Sequence, residues 1–403
     1  MDHLNPYYDL AVVGAGPAGC HLAAKAARAG CKVILFDPKA PWEKPCGGGI
    51  THKAWSKFPI LSSPRLRRNE VFTSIQITSN GRFFIVDQGH PLFIVSRKDL
   101  AKLMLDEANE AGVIHHRLQV SKIETWGPNV RLTAGRETFF AGFVAGADGV
   151  RSLVRSTFIG DLPKQRVLYA ISQLYEGKPE DSMIIRITPF PGYVWSFPRL
   201  DCLGVGAGSI ESGRNLKAEI EKFMNDFYPG RKQIGPIQGA LLPYMAGRET
   251  YCEKRTGDGW ALIGDAAGFC DTLTGEGILY AVWSADLLAD AFLKGRVSEY
   301  EKAWRKAFGS HLATGTWAAS HLFSPRNLDR FFAAITVCPT FRKPIMNYVW
   351  NLPSYPQLAT QLLASLPGAW RQWRRFKKQG GKIDPLTLGA FKHLAPKLNL
   401  NWE

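Results

Sequence analysis

Hydrophobic and polar positions fall into several distinct patterns along this chain. Asp9-Leu10-Ala11-Val12-Val13 is a short, nearly continuous apolar run, the pattern of a strand buried on both faces of a parallel sheet. The stretch through Ala29 carries Leu22, Ala23, Ala26 and Ala27 at helical spacing, and Gly30 supplies a left-handed residue to end the helix. Cys31 to Phe36 reads as a second strand closing on Asp37. Further on, Ala141 to Ala147 and Trp260 to Ile263 read as buried strands, and Ile278 to Leu293 reads as an apolar helix. Strand-rich stretches lie at Val71 to Val95 and Arg166 to Ser209, with runs such as Met183-Ile184-Ile185-Arg186-Ile187, followed by a helix near Glu219 to Phe227. From His311 onward the pattern is helical, aromatic and basic, and no internal repeat or low-complexity linker interrupts the chain.

Between the first strand and the first helix stands Gly14-Ala15-Gly16-Pro17-Ala18-Gly19, a complete G-x-G-x-x-G. Strand, glycine turn, helix, strand and acid, in that order, open a dinucleotide-binding fold, and each part has a physical task. Gly14 permits the tight turn, Gly16 lets a pyrophosphate approach the backbone, and Gly19 lets helix and strand pack closely. Pro17 and Ala18 lead into a helix whose N-terminus offers unpaired N–H groups and partial positive charge to phosphates. Asp37 is placed to accept hydrogen bonds from the adenosine ribose. FAD and NAD both use this unit, so it leaves the choice between them open.

Composition narrows the class. The 403 residues are 45% hydrophobic and 21% charged, which fits a globular chain and excludes a disordered or fibrous one. The net charge of +15 favours an anionic partner such as a phosphate-bearing substrate, an acidic protein or an anionic lipid surface; no motif points to nucleic acid. Seven widely spaced cysteines without a C-x-x-C pair argue against a disulfide framework or a zinc knuckle, so no metal is expected and a reducing compartment fits best. Met1 to Leu10 carries Asp2 and Asp9 with no basic, apolar signal, and no apolar run reaches ~18 residues. The expectation is a cytoplasmic protein, with a peripheral seat at the inner face of a membrane as an extension of that reading.

Three later segments give the glycine turn its company. Asp148-Gly149-Val150-Arg151-Ser152 follows the strand near residue 145, Gly264-Asp265-Ala266-Ala267-Gly268 follows that near 262, and Gly275-Glu276-Gly277 precedes the apolar helix. With these in order, the chain resembles the flavoproteins of aromatic hydroxylase fold over most of its first 300 residues. Two further stretches, Lys44-Pro45-Cys46-Gly47-Gly48-Gly49 and Pro191-Gly192-Tyr193-Val194-Trp195-Ser196-Phe197-Pro198, resemble the geranylgeranyl reductase branch, which saturates isolated double bonds of prenyl chains. The resemblance implies FAD as cofactor, with Asp265 on the ribityl chain, Asp148 supporting the flavin and Arg97 beginning a helix close to it. It also implies that Cys46, Gly47 and Gly48 form a loop beside the flavin, with the Tyr193 to Phe197 strand beside the substrate. Gly275 and Gly277 would aim a helix dipole at the flavin's pyrimidine edge. Asp148 and Asp265 also have a plain reading as helix caps.

Strand geometry gives the aromatic motif a meaning of its own. Successive side chains point to opposite faces, so Tyr193, Trp195 and Phe197 share one face, while Val194 and Ser196 share the other. Such a wall could hold a long apolar chain at ~25 cal/mol per Å² buried, or it could be ordinary sheet core. Cys46 is either a proton donor or substrate-orienting group near the flavin, or a small side chain tolerated in a tight loop. Residues 331–403 hold ten Lys or Arg against two acids. On a helical wheel Trp370, Trp373 and Phe376 share an arc opposite Arg371, Arg374, Arg375 and Lys378, the make-up of an interfacial helix or of a surface helix with a solvated basic face.

The expected architecture is α/β: a Rossmann-like FAD-binding domain (1–70, 97–165 and 250–310), an inserted mixed β-sheet substrate and catalytic domain (71–96 and 166–249), and a helical basic C-terminal region (311–403). The expected activity is FAD-dependent reduction of a polyprenyl lipid or prenyl diphosphate, with Cys46, Tyr193 and Trp195 as catalytic residues and NADPH or reduced ferredoxin as electron donor. A flavin monooxygenase or halogenase on the same scaffold is the alternative. Halogenases carry W-x-W-x-I-P, however, and Tyr193 and Phe197 replace two of its members. A prenyl-lipid carrier without flavin is the non-enzymatic alternative, opposed by the complete glycine and G-D segments.

Overall fold

The computed structural model describes residues 7–78, 83–244, 251–272, 274–322, 325–351 and 355–380. In chain order its strands are β1 (Tyr7–Val13), β2 (Val33–Phe36), β3 (Gly49–Ile50), β4 (Arg68–Ile77), β5 (Phe83–Val95), β6 (Ile114–His116), β7 (Val120–Trp126) and β8 (Asn129–Ala134). They continue with β9 (Glu137–Gly146), β10 (Val167–Glu176), β11 (Ser182–Ile187), β12 (Gly192–Pro198), β13 (Cys202–Ser209), β14 (Gln233–Pro243), β15 (Thr256–Gly257) and β16 (Trp260–Leu262).

Two eight-stranded sheets form among the described residues. The first runs β15-β16-β9-β1-β2-β6, with β8 joined to β9 and β7 to β8. Its centre is parallel, with Leu10 opposite Val33 and Phe143, and its apolar runs are buried on both faces as parallel strands require. Helix Pro17–Arg28 packs between helices Arg97–Glu110 and Ile278–Leu293. The last of these is apolar nearly all round and accordingly buried along most of its length. The first helix ends at Arg28, a residue short of the sequence reading, and Gly30 takes φ 93° just beyond it.

The second sheet runs β14-β10-β13-β12-β11-β4-β5-β3. It is antiparallel except where β4 meets β11, Ile75 opposite Ile184. Strands read at Val71 to Val95 and at Arg166 to Ser209 thus lie in one sheet. Helix Leu216–Phe227 covers one face through Ile220 and Phe223, which pack with Val194, Val205 and Ile75. On the other face, helix Pro325–Val337 brings Leu328, Phe332 and Ile335 against Ile187 and Tyr193, and Met346 of helix Pro339–Asn351 packs against the cluster of Val71, Leu92 and Ile94, as Phe197 does. The C-terminal helices therefore sit over the aromatic face.

Candidate active site

The three glycines of the first turn are glycines for different reasons. A Cβ on Gly14, at φ 101°, would fall 2.4 Å from the Ala147 carbonyl oxygen, and one on Gly19 would fall 1.9 Å from that of Gly14. Close packing of the chain on itself dictates both. Gly16 has φ −75°, open to any residue, and a Cβ there would meet nothing within 4 Å. The open space lies at the start of helix Pro17–Arg28, whose Gly16 N-cap supplies no side-chain oxygen to its N–H groups and whose first position is Pro17. Space and unsatisfied donors together fit a pyrophosphate.

The other predicted cofactor segments gather around this turn. Asp37 accepts hydrogen bonds from the N–H groups of Ala15 (2.9 Å), Lys39 (2.8 Å) and Ala40 (3.0 Å), so it braces the turn while keeping lone-pair capacity for a ribose. Ala147 and Asp148 back onto Gly14, and Ala18 faces Gly264. Asp148 accepts from Leu153 N–H at 2.7 Å, while Ser152 is the residue that caps this helix, and the Asp148 Oδ1 is buried without a hydrogen-bond partner among the described residues. Burial raises its pKa. Asp265 is paired with Lys44 at 2.8 Å, a partner sequence reasoning did not assign, and its Oδ1 lies near Gly277.

Around Cys46 the structure assembles a cationic nest. Gly48, at φ 82°, lies so close to the Val95 carbonyl that only glycine fits, and its N–H points to the Cys46 Sγ at 3.4 Å. Arg97 is buried at the start of its helix, and its positive charge acts on the thiol. Burial pushes the Cys46 pKa up, but Arg97, the Gly48 N–H and Lys44 outweigh it and hold the thiol below its ordinary value. Glu43 fixes this arrangement. It accepts from the N–H groups of Arg97 (3.2 Å) and Lys98 (3.0 Å) and pairs with Arg199 at 2.9 Å, while Arg199 also donates to the Cys46 carbonyl at 3.3 Å.

Tyr193, Trp195 and Phe197 do share one face of β12, with Val194 and Ser196 fully buried on the other. Across the ladder they face Gly208, Gly206 and Gly204 of β13. A Cβ on Gly206 would fall within 2.6 Å of the Trp195 ring, so the glycines make room for the aromatics. This complementarity stands in the sequence as Gly204-Val205-Gly206-Ala207-Gly208, a signal that can be found once the pairing is known. Phe197 lies on Gly47, where a Cβ would meet its ring at 2.2 Å, and the Tyr193 hydroxyl lies by Gly275. Tyr193 and Trp195 have ring centroids 5.8 Å apart. Burial, with Cys270, Cys46 and Asp271 nearby, keeps the Tyr193 phenol protonated. The Trp195 Nε1–H is buried without a partner among the described residues.

A buried ion pair and a buried carboxylate–imidazole contact support the Gly275-Glu276-Gly277 segment, and sequence reasoning singled out neither. Glu276 pairs with Lys53 at 2.7 Å and accepts from the Thr51 hydroxyl. Asp271 accepts from Thr274 N–H at 3.0 Å and lies 3.2 Å from the His311 ring. Burial works to raise the Asp271 pKa, but His311, Lys53 and the Thr274 N–H pull it below the usual carboxylate range. No local motif marks these partners, because Lys53 and His311 come from elements distant in sequence.

The family model for lycopene cyclase protein matches residues 9–171. A digeranylgeranylglycerophospholipid reductase of Methanococcoides burtonii is 29% identical over 82% of this chain and 87% of its own length. A menaquinone reductase of Mycolicibacterium smegmatis is 27% identical over 81% and 87%. Among solved structures, a geranylgeranyl bacteriochlorophyll reductase-like protein from Thermoplasma acidophilum superposes with a TM-score of 0.73 at 20% identity, covering 89% of this chain and 99% of that one. A flavin-dependent brominase superposes at 0.67 with 16% identity, covering 85% and 93%. Fold, glycine turn and relatives together define an FAD-dependent oxidoreductase. Within that class, the chain is similar to the geranylgeranyl reductases, through digeranylgeranylglycerophospholipid reductases at 25–29% identity and through its fold.

Proposed function

We propose that this protein reduces isolated double bonds of a polyprenyl lipid or prenyl diphosphate. The observation that carries the reading is the meeting of three distant segments: Cys46 to Gly49, the Tyr193 to Phe197 face, and the Gly275 turn. Two relatives named for reduction of a digeranylgeranyl lipid and of menaquinone support the same chemistry. Bound FAD, in reduced form, supplies the hydride. The chain's own residues then have three tasks. Gly14 to Gly19, Asp37, Asp148 and Asp265 hold the cofactor, with Gly47, Gly48, Arg97, Gly275 and Gly277 shaping the wall around it. Tyr193 and Trp195 hold the apolar chain and stabilise positive charge at the more substituted alkene carbon by roughly 1–2 kcal/mol per ring. Cys46 gives the proton, and a thiol held below its ordinary pKa by Arg97 is the better acid for it.

This reading treats the first sheet with its helices as the cofactor domain and the second as the substrate domain, roofed by residues beyond 311. NADPH or reduced ferredoxin supplies the electrons, and a basic surface suits either. The test is anaerobic mixing of chemically reduced holoprotein with a panel of prenyl diphosphates, prenyl quinones and unsaturated prenyl glycerolipids. Reoxidation of the flavin with a gain of two hydrogens per bond is the expected result. Inertness toward the whole panel, or oxygen-dependent hydroxylation or halogenation of a substrate, would replace the reading.

A further inference from the structure

Among the described residues, the last helix, Tyr355–Lys378, is held along one side only. Asn347 donates to Gln361 at 3.1 Å, Thr340 to Gln372 at 2.8 Å, and Gly368 lies against Thr340, all on helix Pro339–Asn351. Leu358 and Ser365 are buried on that side, and Trp373 and Phe376 are half-buried. The arc read from the helical wheel is thereby corrected: two of its three aromatics are largely taken up by packing. The exposed apolar stripe is instead Leu363 (66% exposed), Leu366 (51%) and Trp370 (59%), spaced three and four residues apart and so on one face. Trp317 (61%) stands on helix Ser310–Leu322, which touches this one.

We propose that this stripe and the cations beside it seat the protein on an anionic lipid surface. Three features select a bilayer over other occupants. Arg371, Arg374, Arg375, Lys377 and Lys378 are all exposed, and neither this helix nor Pro339–Asn351 contains an acid. The Arg374 guanidinium lies 4.6 Å from the Trp370 ring centroid, which puts a cation and an indole at one depth, as the headgroup region favours. No helix among the described residues is long and apolar enough to cross a membrane, so the stripe lies in the interface and does not span it. The stripe runs ~10 Å, enough to enter the headgroup and acyl boundary. Helix Pro339–Asn351, on which this helix rests, packs Met346 against the same two apolar clusters that Tyr193 and Phe197 pack against, so the seat is one helix away from the sheet that carries the aromatic wall.

The test uses full-length, FAD-loaded protein sedimented with vesicles of phosphatidylcholine alone or mixed with phosphatidylglycerol. Vesicles without prenyl substrate make the outcome independent of the proposed reaction. The expected result is binding about tenfold or more tighter to the anionic vesicles, weakened by salt. Arg374→Glu with Arg375→Glu should remove about tenfold or more of that affinity. Leu366→Ser with Trp370→Ser should weaken binding at every salt concentration, because apolar burial is not screened, while Trp370→Phe should keep most of it. Flavin absorbance and circular dichroism establish that each variant is folded. Equal binding to both vesicles, binding that survives both double variants, or no binding at all overturns the proposal. In the last case, a dimer that the serine variants split would assign the stripe to a second copy of the chain.

Discussion

In the glycine turn the surface proposed to face the cofactor is backbone from six consecutive residues, whereas the proposed substrate wall is built from β12, from loop 44–49 and from the helix start at Arg97. The turn's glycines divide cleanly: Gly14 and Gly19 are fixed by contacts under 2.5 Å with the chain itself, and Gly16 is free of any. The wall has no such division. Phe197 packs on Gly47 and Trp195 on Gly206, so residues that would touch substrate are also packing residues. A backbone site can therefore lose its ligand without losing its fold, while the wall must be tested by changes that leave most of the packing in place.

The largest effects fall in the turn and separate its two kinds of glycine. Gly19→Val should fail to fold or lose about 3 kcal/mol or more in urea denaturation, since its Cβ overlaps the Gly14 carbonyl. Gly16→Val should fold as the wild type does yet lose about a hundredfold or more in FAD affinity by fluorescence titration, as charge-assisted bonds from the helix start are blocked. Equal loss of stability in both variants would erase the distinction between packing glycine and ligand glycine.

Next comes Cys46→Ala, for which proton donation by the thiol predicts a loss on the order of 10²–10⁴ in single-turnover reduction of the prenyl chain. A loss under about tenfold would return Cys46 to a packing role. Trp195→Ala should leave the flavin spectrum nearly unchanged and slow the same step about five- to thirtyfold. Trp195→Phe separates the ring from its unpartnered N–H: full recovery assigns the effect to the ring, and no recovery assigns it to the hydrogen bond.

The same contrast decides what could be read from the sequence. Gly14 to Asp37 were legible because one βαβ unit carries turn, helix start and acid within about 25 residues. The facing of Tyr193, Trp195 and Phe197 was legible because a strand alternates. Other features depended on contacts between segments far apart in the chain. Arg97 was assigned to the cofactor from the resemblance, and its charge also acts on Cys46, 51 positions earlier. Lys44 stands two residues before Cys46 in the chain, and nothing local shows that it pairs with Asp265. His311 opened a stretch read only as helical and basic, and it faces Asp271. The wheel drawn through Trp370, Trp373 and Phe376 had the right period, but which arc is covered depends on where Thr340 and Asn347 lie.

The smallest effect sharpens the comparison most, because it reads one side chain's influence on another without turnover. Alkylating reagents attack the thiolate, so the rate at Cys46 rises with pH and levels above the thiol's pKa. In the wild type that midpoint should lie below the ordinary cysteine value, since Arg97, the Gly48 N–H and Lys44 together overcome the upward push of burial. Arg97→Met removes a charge that favours the thiolate, so the midpoint moves to higher pH. Lys44→Met removes only a more modest charge effect and should move it less. Arg97→Lys, which keeps the charge but loses the guanidinium fork, belongs between wild type and Met. Following the Cys46-bearing peptide by mass spectrometry isolates it from the six other free cysteines, including the exposed Cys252. The same sign governs catalysis: proton donation by Cys46 is lost as pH rises through the midpoint, so in Arg97→Met the falling limb of the pH profile should move to higher pH along with alkylation. A midpoint unchanged in Arg97→Met would mean that the guanidinium serves the cofactor alone, and the thiol would then lose its claim to a tuned acidity.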